Sequence, residues 1–183
     1  MSRDFSQVYV SGAGLPEYVN RLGEGTIGLE LGVWTGENFA YLLQQCPGIK
    51  TLHGIDQYKP YQDWNRMITQ EIIDDAKRQA FQNMEDSGHK DKVIFHEVSA
   101  KEGLDIIADG SLDWIFVDGD HSYEHAKHDI AAYYSKVRSG GLFAGHDFSL
   151  PGVTKAVKEF REENNITEQI MFTNNDVWLW YKN

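Results

Sequence analysis

The chain has a single cysteine, Cys46, in 183 residues, so no internal disulfide can form and no multi-cysteine zinc or iron–sulfur framework is available. Only four prolines interrupt it, and its longest apolar run is the five residues 177–181, far short of the ~20 that span a bilayer. No membrane partner is expected. The opening MSRDFSQVYV has no apolar signal core, which leads us to expect a cytoplasmic protein. Positive charge is scarce: 17 Lys and Arg stand against 28 Asp and Glu, a formal charge of −11. A chain so acidic, with no basic cluster, repels phosphate backbones, so nucleic acid is excluded and a small molecule is the expected partner.

A chain of this length makes one domain that buries about two-thirds of the surface its unfolded form exposes, so it needs no covalent staple. Five β-rich runs, at 26–31, 51–56, 93–98, 113–118 and 142–146, alternate with helical patterns. That alternation predicts parallel strands joined by helical crossovers and a sheet covered on both faces, the α/β class. Helices are expected over about 36–45, 63–86, 122–137 and 153–164. In the second, Ile68, Ile72, Ala76, Ala80 and Met84 recur every four residues as a core stripe, or alternatively as a subunit contact. Gly140-Gly141 is read as the stop of the third. Runs 169–173 and 177–182 flank Asn174-Asn175-Asp176, a hairpin signal that ends the sheet with antiparallel strands.

Glu30-Leu31-Gly32-Val33-Trp34-Thr35-Gly36 falls where the first strand gives way to its helix, the crevice where open α/β sheets bind ligands. Gly32 admits a sharp turn close to a ligand, and Gly36 lets helix pack on strand. Dinucleotide sites carry a middle glycine that admits a pyrophosphate, and Trp34 stands there instead. With Glu30 beside it, the turn suits a ligand that carries positive charge and no phosphate, such as S-adenosylmethionine. Asp56, at the end of the second strand, can accept both hydroxyls of a ribose, or else cap the next turn. Ser99 can bond an adenine edge or simply start the next helix. Tyr58, Tyr61 and Trp64 can stack on a ligand or pin their loop.

These residues, with the segments Asp-Trp-Ile-Phe-Val-Asp-Gly-Asp-His-Ser-Tyr-Glu at 113–124 and Gly-Gly-Leu-Phe-Ala-Gly-His-Asp-Phe at 140–148, resemble the class I S-adenosylmethionine-dependent methyltransferases. The likeness is to a small single-domain branch, methyltransferase family 24, related to metal-dependent sugar and catechol O-methyltransferases. It implies a Rossmann-like, doubly wound sheet of seven strands with the last antiparallel. It also implies S-adenosylmethionine bound by Glu30, Gly32, Trp34, Gly36, Asp56, Ser99 and Asp118. A divalent metal such as Mg or Mn would be held by Asp118, His146 and Asp147, with His146 standing where the relatives carry an oxygen ligand.

Asp118, Asp120, His121, His146 and Asp147 crowd the ends of two neighbouring strands, and such a gathering of acids calls for a cation. Methyl transfer to a small hydroxylated acceptor needs alignment and removal of a proton. His121 or Asp120 is the expected base. Either can instead be structural, Asp120 as a helix cap and His121 as a donor to a backbone carbonyl. His121, His125 and His128 share one helical face, as a metal site or as plain surface, and His125 is expected to meet Asp129. A binding module without transferase activity and a nicotinamide-dependent oxidoreductase are the competing functions. With only about 25 residues before the first strand, an open acceptor pocket is expected from loops 56–64 and 148–153, with a second subunit of a homodimer as the other candidate wall.

Overall fold

The computed structural model describes residues 2–63, 66–173 and 175–183. Helix α1 (Pro16–Val19) precedes strand β1 (Thr26–Leu31), helix α2 (Glu37–Gln45) and strand β2 (Ile49–Ile55). A small hairpin, β3 (Tyr61–Asp63) and β4 (Arg66–Ile68), leads into α3 (Gln70–Asp86). Then come β5 (Val93–His96), α4 (Ala100–Gly103), β6 (Leu112–Val117), α5 (Tyr123–Tyr134), β7 (Val137–Gly145), α6 (Pro151–Glu163), β8 (Met171–Phe172) and β9 (Trp178–Tyr181).

The main sheet has seven strands in the order β5-β2-β1-β6-β7-β9-β8. β1, β2, β5, β6 and β7 pair in parallel, and β9 pairs antiparallel to both β7 and β8. This is the Rossmann-like seven-stranded sheet that the resemblance implies, with β9 reversed as the C-terminal hairpin signal predicts. One apolar layer, including Phe39, Leu42, Ile73, Trp114 and Phe116, gathers residues of α2 and α3 on one face. Leu29, Ile115, Ile130, Phe143, Val157 and Trp180 fill the opposite layer with residues of α5 and α6. Covering both faces explains why the central strands are buried at nearly every position.

Three boundaries differ from expectation. Helix α3 begins at Gln70, not near 63, because the stretch before it forms the β3–β4 hairpin and Thr69 takes the extended conformation that starts a helix. Its buried face is Ile73, Ala76, Ala80, Asn83 and Met84, so Ile68 belongs to a strand and Ile72 is only half-buried. Helix α5 ends at Tyr134, and the two glycines lie inside β7, where the Gly140 N–H donates to the Lys182 carbonyl. Trp64, expected in the aromatic loop, and Asn174, in the C-terminal turn, lie outside the described residues.

The N-terminal segment is more than a lead-in. Phe5, Val10 and Leu15 are buried, and the Tyr41 hydroxyl and Asn175 amide donate to the carbonyls of Ala13 and Val10. Residues 10–14 are thereby tied to α2 and to Asn175, and the Ser11 hydroxyl reaches Asp118 just past the end of β6.

Candidate functional site

The chain turns as soon as β1 ends. Gly32 takes φ +88°, and a Cβ there would stand 2.2 Å from the Asp118 carbonyl oxygen, so only glycine fits. Gly36, at φ +70°, starts α2 and lies so near Ala80 that a Cβ would meet its Cα at 2.9 Å. Between them Trp34 also has a positive φ, +50°, uncommon for a bulky side chain. Its indole is 39% exposed, so it stands at the surface of the turn and does not plug it.

Glu30, one residue before the strand's end, is 1% exposed, and its Oε2 has no hydrogen-bond partner among the described residues. Burial, reinforced by the negative charges of Asp118 and Asp56 and opposed by the Asn38 amide, pushes its carboxyl well above the usual range. Asn38, on the first turn of α2, is itself buried; its Oδ1 accepts the Gly12 N–H at 2.9 Å while its Nδ2 has no partner among the described residues. Because the Asn38 amide lowers the Glu30 pKa, these two buried groups lie against each other.

Asp56 follows β2, and its carboxylate faces back to the turn: Oδ2 accepts the N–H groups of Val33 and Trp34, both at 3.0 Å, and Oδ1 accepts the Tyr58 N–H at 2.9 Å. The turn-capping alternative is therefore the contact the structure contains. Tyr58 is the pinning residue of its loop, its hydroxyl donating to the Trp34 carbonyl at 2.7 Å. Ser99 is likewise a helix start: its hydroxyl accepts the Glu102 N–H and its own N–H donates to the Glu102 carboxylate, a capping box at α4.

The second half of the site lies beyond β6 and β7, adjacent in the sheet. Asp118 and His146 are placed side by side because β6 and β7 run in register up to Val117 and Gly145. Asp118 Oδ2 accepts the Ser11 hydroxyl at 2.7 Å, and Oδ1 lies 3.4 Å from His146 Nδ1. The same nitrogen is 3.2 Å from Asp147 Oδ2, which also meets His121 Nε2 at 2.8 Å. Burial works against a charged His146, yet the two carboxylates prevail and its pKa is pushed up to about 10. For Asp147, burial is outweighed by the two imidazoles, and its carboxyl falls well below the usual range. The two carboxylates thus favour the imidazolium form of His146, a positive charge among the acids. Asp118, His121 and Asp147 also offer one ligand atom each within 4.8 Å of one another, a set in which His121 takes the place expected for His146. These groups line, together with Val117, Val153 and Trp178, a small cavity of about 20 Å³.

Asp120 points elsewhere. Its Oδ1 accepts the Ser122 N–H at 2.8 Å and Oδ2 lies 3.5 Å from His125 Nδ1; burial raises its pKa, but these contacts lower it overall. The Oδ1 contact is an Asx turn leading into α5, whose N-cap is Ser122. His125 bonds Ser122 and not Asp129, which is buried and pairs with His128 at 3.1 Å. Among the described residues the three helix histidines form no common ligand group. Ser11 and Asn38 are site neighbours the sequence did not flag. The run Ser11-Gly12-Ala13-Gly14 was the available signal, since such small residues permit a close approach of backbone.

Residues 29–148, containing both halves of the site, match the family described as a methyltransferase domain, methyltransferase family 24. No curated protein matches the chain in sequence. Among solved structures, a putative caffeoyl-CoA O-methyltransferase from Staphylococcus aureus is similar with TM-score 0.68 and 15% identity, over 92% of this chain and 81% of that one. The O-methyltransferase TomG from Streptomyces achromogenes, in complex with S-adenosylmethionine, gives 0.66 and 15% over 96% and 82%. A precorrin-6y C5,15-methyltransferase from Geobacter metallireducens gives 0.68 and 16% over 100% and 94%. At such identities these neighbours establish the fold, and the match over 29–148 establishes the kinship: the chain belongs to the methyltransferase-domain family 24.

Proposed function

We propose that the protein transfers a methyl group from S-adenosylmethionine to a hydroxyl of a small acceptor, a sugar or a phenol. The observation that carries this reading is Glu30: a buried carboxyl with an unpartnered oxygen, at the base of a glycine turn and close to two further acids. Such a site favours a cationic ligand without phosphate, and the donor's ammonium and sulfonium fit it. When bound, the donor supplies an electrophilic methyl. Glu30 receives the ammonium, Gly32 lets the backbone approach, Asp56 faces the ribose, and the Trp34 indole flanks the mouth of the crevice. His121, oriented by Asp147 through Nε2, takes the acceptor's proton. His146 keeps Asp118 and Asp147 neutralised so that they do not compete for that proton.

A second reading is favoured by the close ligand atoms of Asp118, His121 and Asp147. Their mixed nitrogen and oxygen donors suit Mn, Fe or Zn better than Mg, and a cation held there would lower the acceptor hydroxyl's pKa. Labelled-methyl transfer to a panel of phenols and sugars, in EDTA and in Mn²⁺, tests both readings. The first expects turnover in EDTA that His121→Ala lowers by roughly 10²- to 10⁴-fold, with the affinity for S-adenosylhomocysteine unchanged. Turnover only with Mn²⁺ selects the second. Binding without transfer to any acceptor, under either condition, makes the protein a binding module.

A further inference from the structure

Strand β5 is an outer strand of the sheet, four residues long and paired with β2 alone. A side-chain hydrogen bond reinforces that ladder: His53 of β2 and His96 of β5 face each other, with Nδ1 and Nε2 3.0 Å apart. The ring planes lie within 6° and the ring centroids are 5.3 Å apart. For nitrogens so close, a centroid separation that large is reached only with the rings end to end. One ring's N–H therefore points straight at the other's lone pair. When both rings are neutral, the four ring nitrogens carry two protons. A third enters at the outer nitrogen of the donating ring and leaves the bond intact. A fourth has to enter at the accepting nitrogen, and it sets two cationic rings against each other with no acceptor between them.

Nothing near the pair offsets such a charge. Leu29 of β1 and Ile94 of β5 lie beside His53, and Ile55 of β2 lies beside His96. The ionisable groups on the surrounding elements are Glu30 of β1, Lys50 of β2, Glu97 past β5, Lys101, Glu102 and Asp105 in and after α4, and Tyr133 of α5. Glu97 is held by Lys77 at 2.6 Å, Glu102 by Ser99, and the Tyr133 hydroxyl by the Ala100 carbonyl. Burial, joined at His53 by the charge of His96, keeps both imidazoles below their ordinary value, and no carboxylate among these groups opposes it. What β5 holds in place lies at the crevice. The His96 carbonyl accepts the Asp56 N–H at 3.2 Å, where β2 runs into its loop, and the Phe95 ring packs on Tyr58 of that loop with centroids 5.8 Å apart. We infer that the His53–His96 pair is an acid-sensitive clasp: it fastens the outer strand at neutral pH, and acid releases β5 and with it the loop that frames the donor crevice. The tie to the donor rests on the reading proposed above.

Amide hydrogen exchange in β5 and β1 at pH 7.5 and pH 5, corrected for the intrinsic rate, tests it. The released strand takes up one proton more than the clasped one, so below the ordinary value of 6.5 its opening grows by up to about tenfold per pH unit. Exchange in β5 is expected to rise at least tenfold relative to β1 at pH 5. In His53→Gln and in His96→Gln, whose amide bonds the remaining ring in either protonation state, the rise is expected to stay below threefold. An equal change in β5 and β1 of the parent, or the parent's rise in both variants, overturns the inference; should the variants not fold, the parent's two strands decide it. Saturating S-adenosylhomocysteine is expected to slow β5 exchange at pH 5 by threefold or more, because a ligand that needs the fastened loop opposes its release. No slowing in a complex whose formation calorimetry shows overturns the tie to the crevice. Absence of binding at both pH values overturns the donor reading itself, and the exchange comparison still decides the clasp.

Discussion

Replacing Glu30 by glutamine separates binding from stability. The free protein holds this carboxyl 1% exposed, with one oxygen unpartnered and two other acids near. A carboxyl raised in the folded state keeps a proton that the unfolded chain gives up above the usual carboxylate range. Its own contribution to stability is therefore greatest at low pH and falls as pH rises, by at most about 1.4 kcal/mol per pH unit. Glutamine has nearly the same shape and no charge. At pH 8 the variant is expected to be no less stable than the parent and to gain about 1–3 kcal/mol, a rise of roughly 2–4 °C in Tm per kcal/mol for a chain of this size. Its loss is in ligand. Removing the charged partner of an ammonium costs about 2–3 kcal/mol, or roughly 30- to 150-fold in the Kd of S-adenosylhomocysteine. Thermal melts from pH 5 to 8 and calorimetric titration of both proteins measure the two effects. A Glu30→Gln protein that melts lower at pH 8 and binds the ligand as tightly as the parent would refute the reasoning.

Two further outcomes follow from the same geometry. Gly32→Ala forces a Cβ to within 2.2 Å of the Asp118 carbonyl at a φ of +88°, and is expected to lower stability by at least ~2 kcal/mol, read as a drop of several degrees in Tm. His146 has its pKa raised to about 10, so the stability it contributes is complete below its unfolded value near 6.5 and is lost as pH climbs toward 10. Melts at pH 6.5, 8 and 9.5 are expected to decline less steeply in His146→Ala than in the parent, and an equal decline contradicts the assignment.

The sheet was legible because buried parallel strands print short apolar runs, and helices between them print a period near four. Glu30, Gly32, Asp118 and His146 were legible for a related reason: they sit at strand ends, where position in the run fixes position in the crevice. The β3–β4 hairpin was not, because Tyr61 to Ile68 carries no turn pair of the kind that marks tight hairpins and merges with the helical stripe after it. The contacts of Asp56 with the opening turn were also hidden. Two of its three backbone N–H partners are more than twenty residues away, which no side-chain pattern records. Ser11 and Asn38 escaped for the same reason, since their contacts join the N-terminal segment to the end of β6 and to the first turn of α2.

The central claim is that the first turn selects a cationic, phosphate-free nucleoside. Titrating the protein at neutral pH with S-adenosylhomocysteine and, separately, with NAD tests it most directly. Saturable binding of the first with no detectable heat from the second is the result expected, and NAD binding as tightly as S-adenosylhomocysteine, or neither binding, contradicts it.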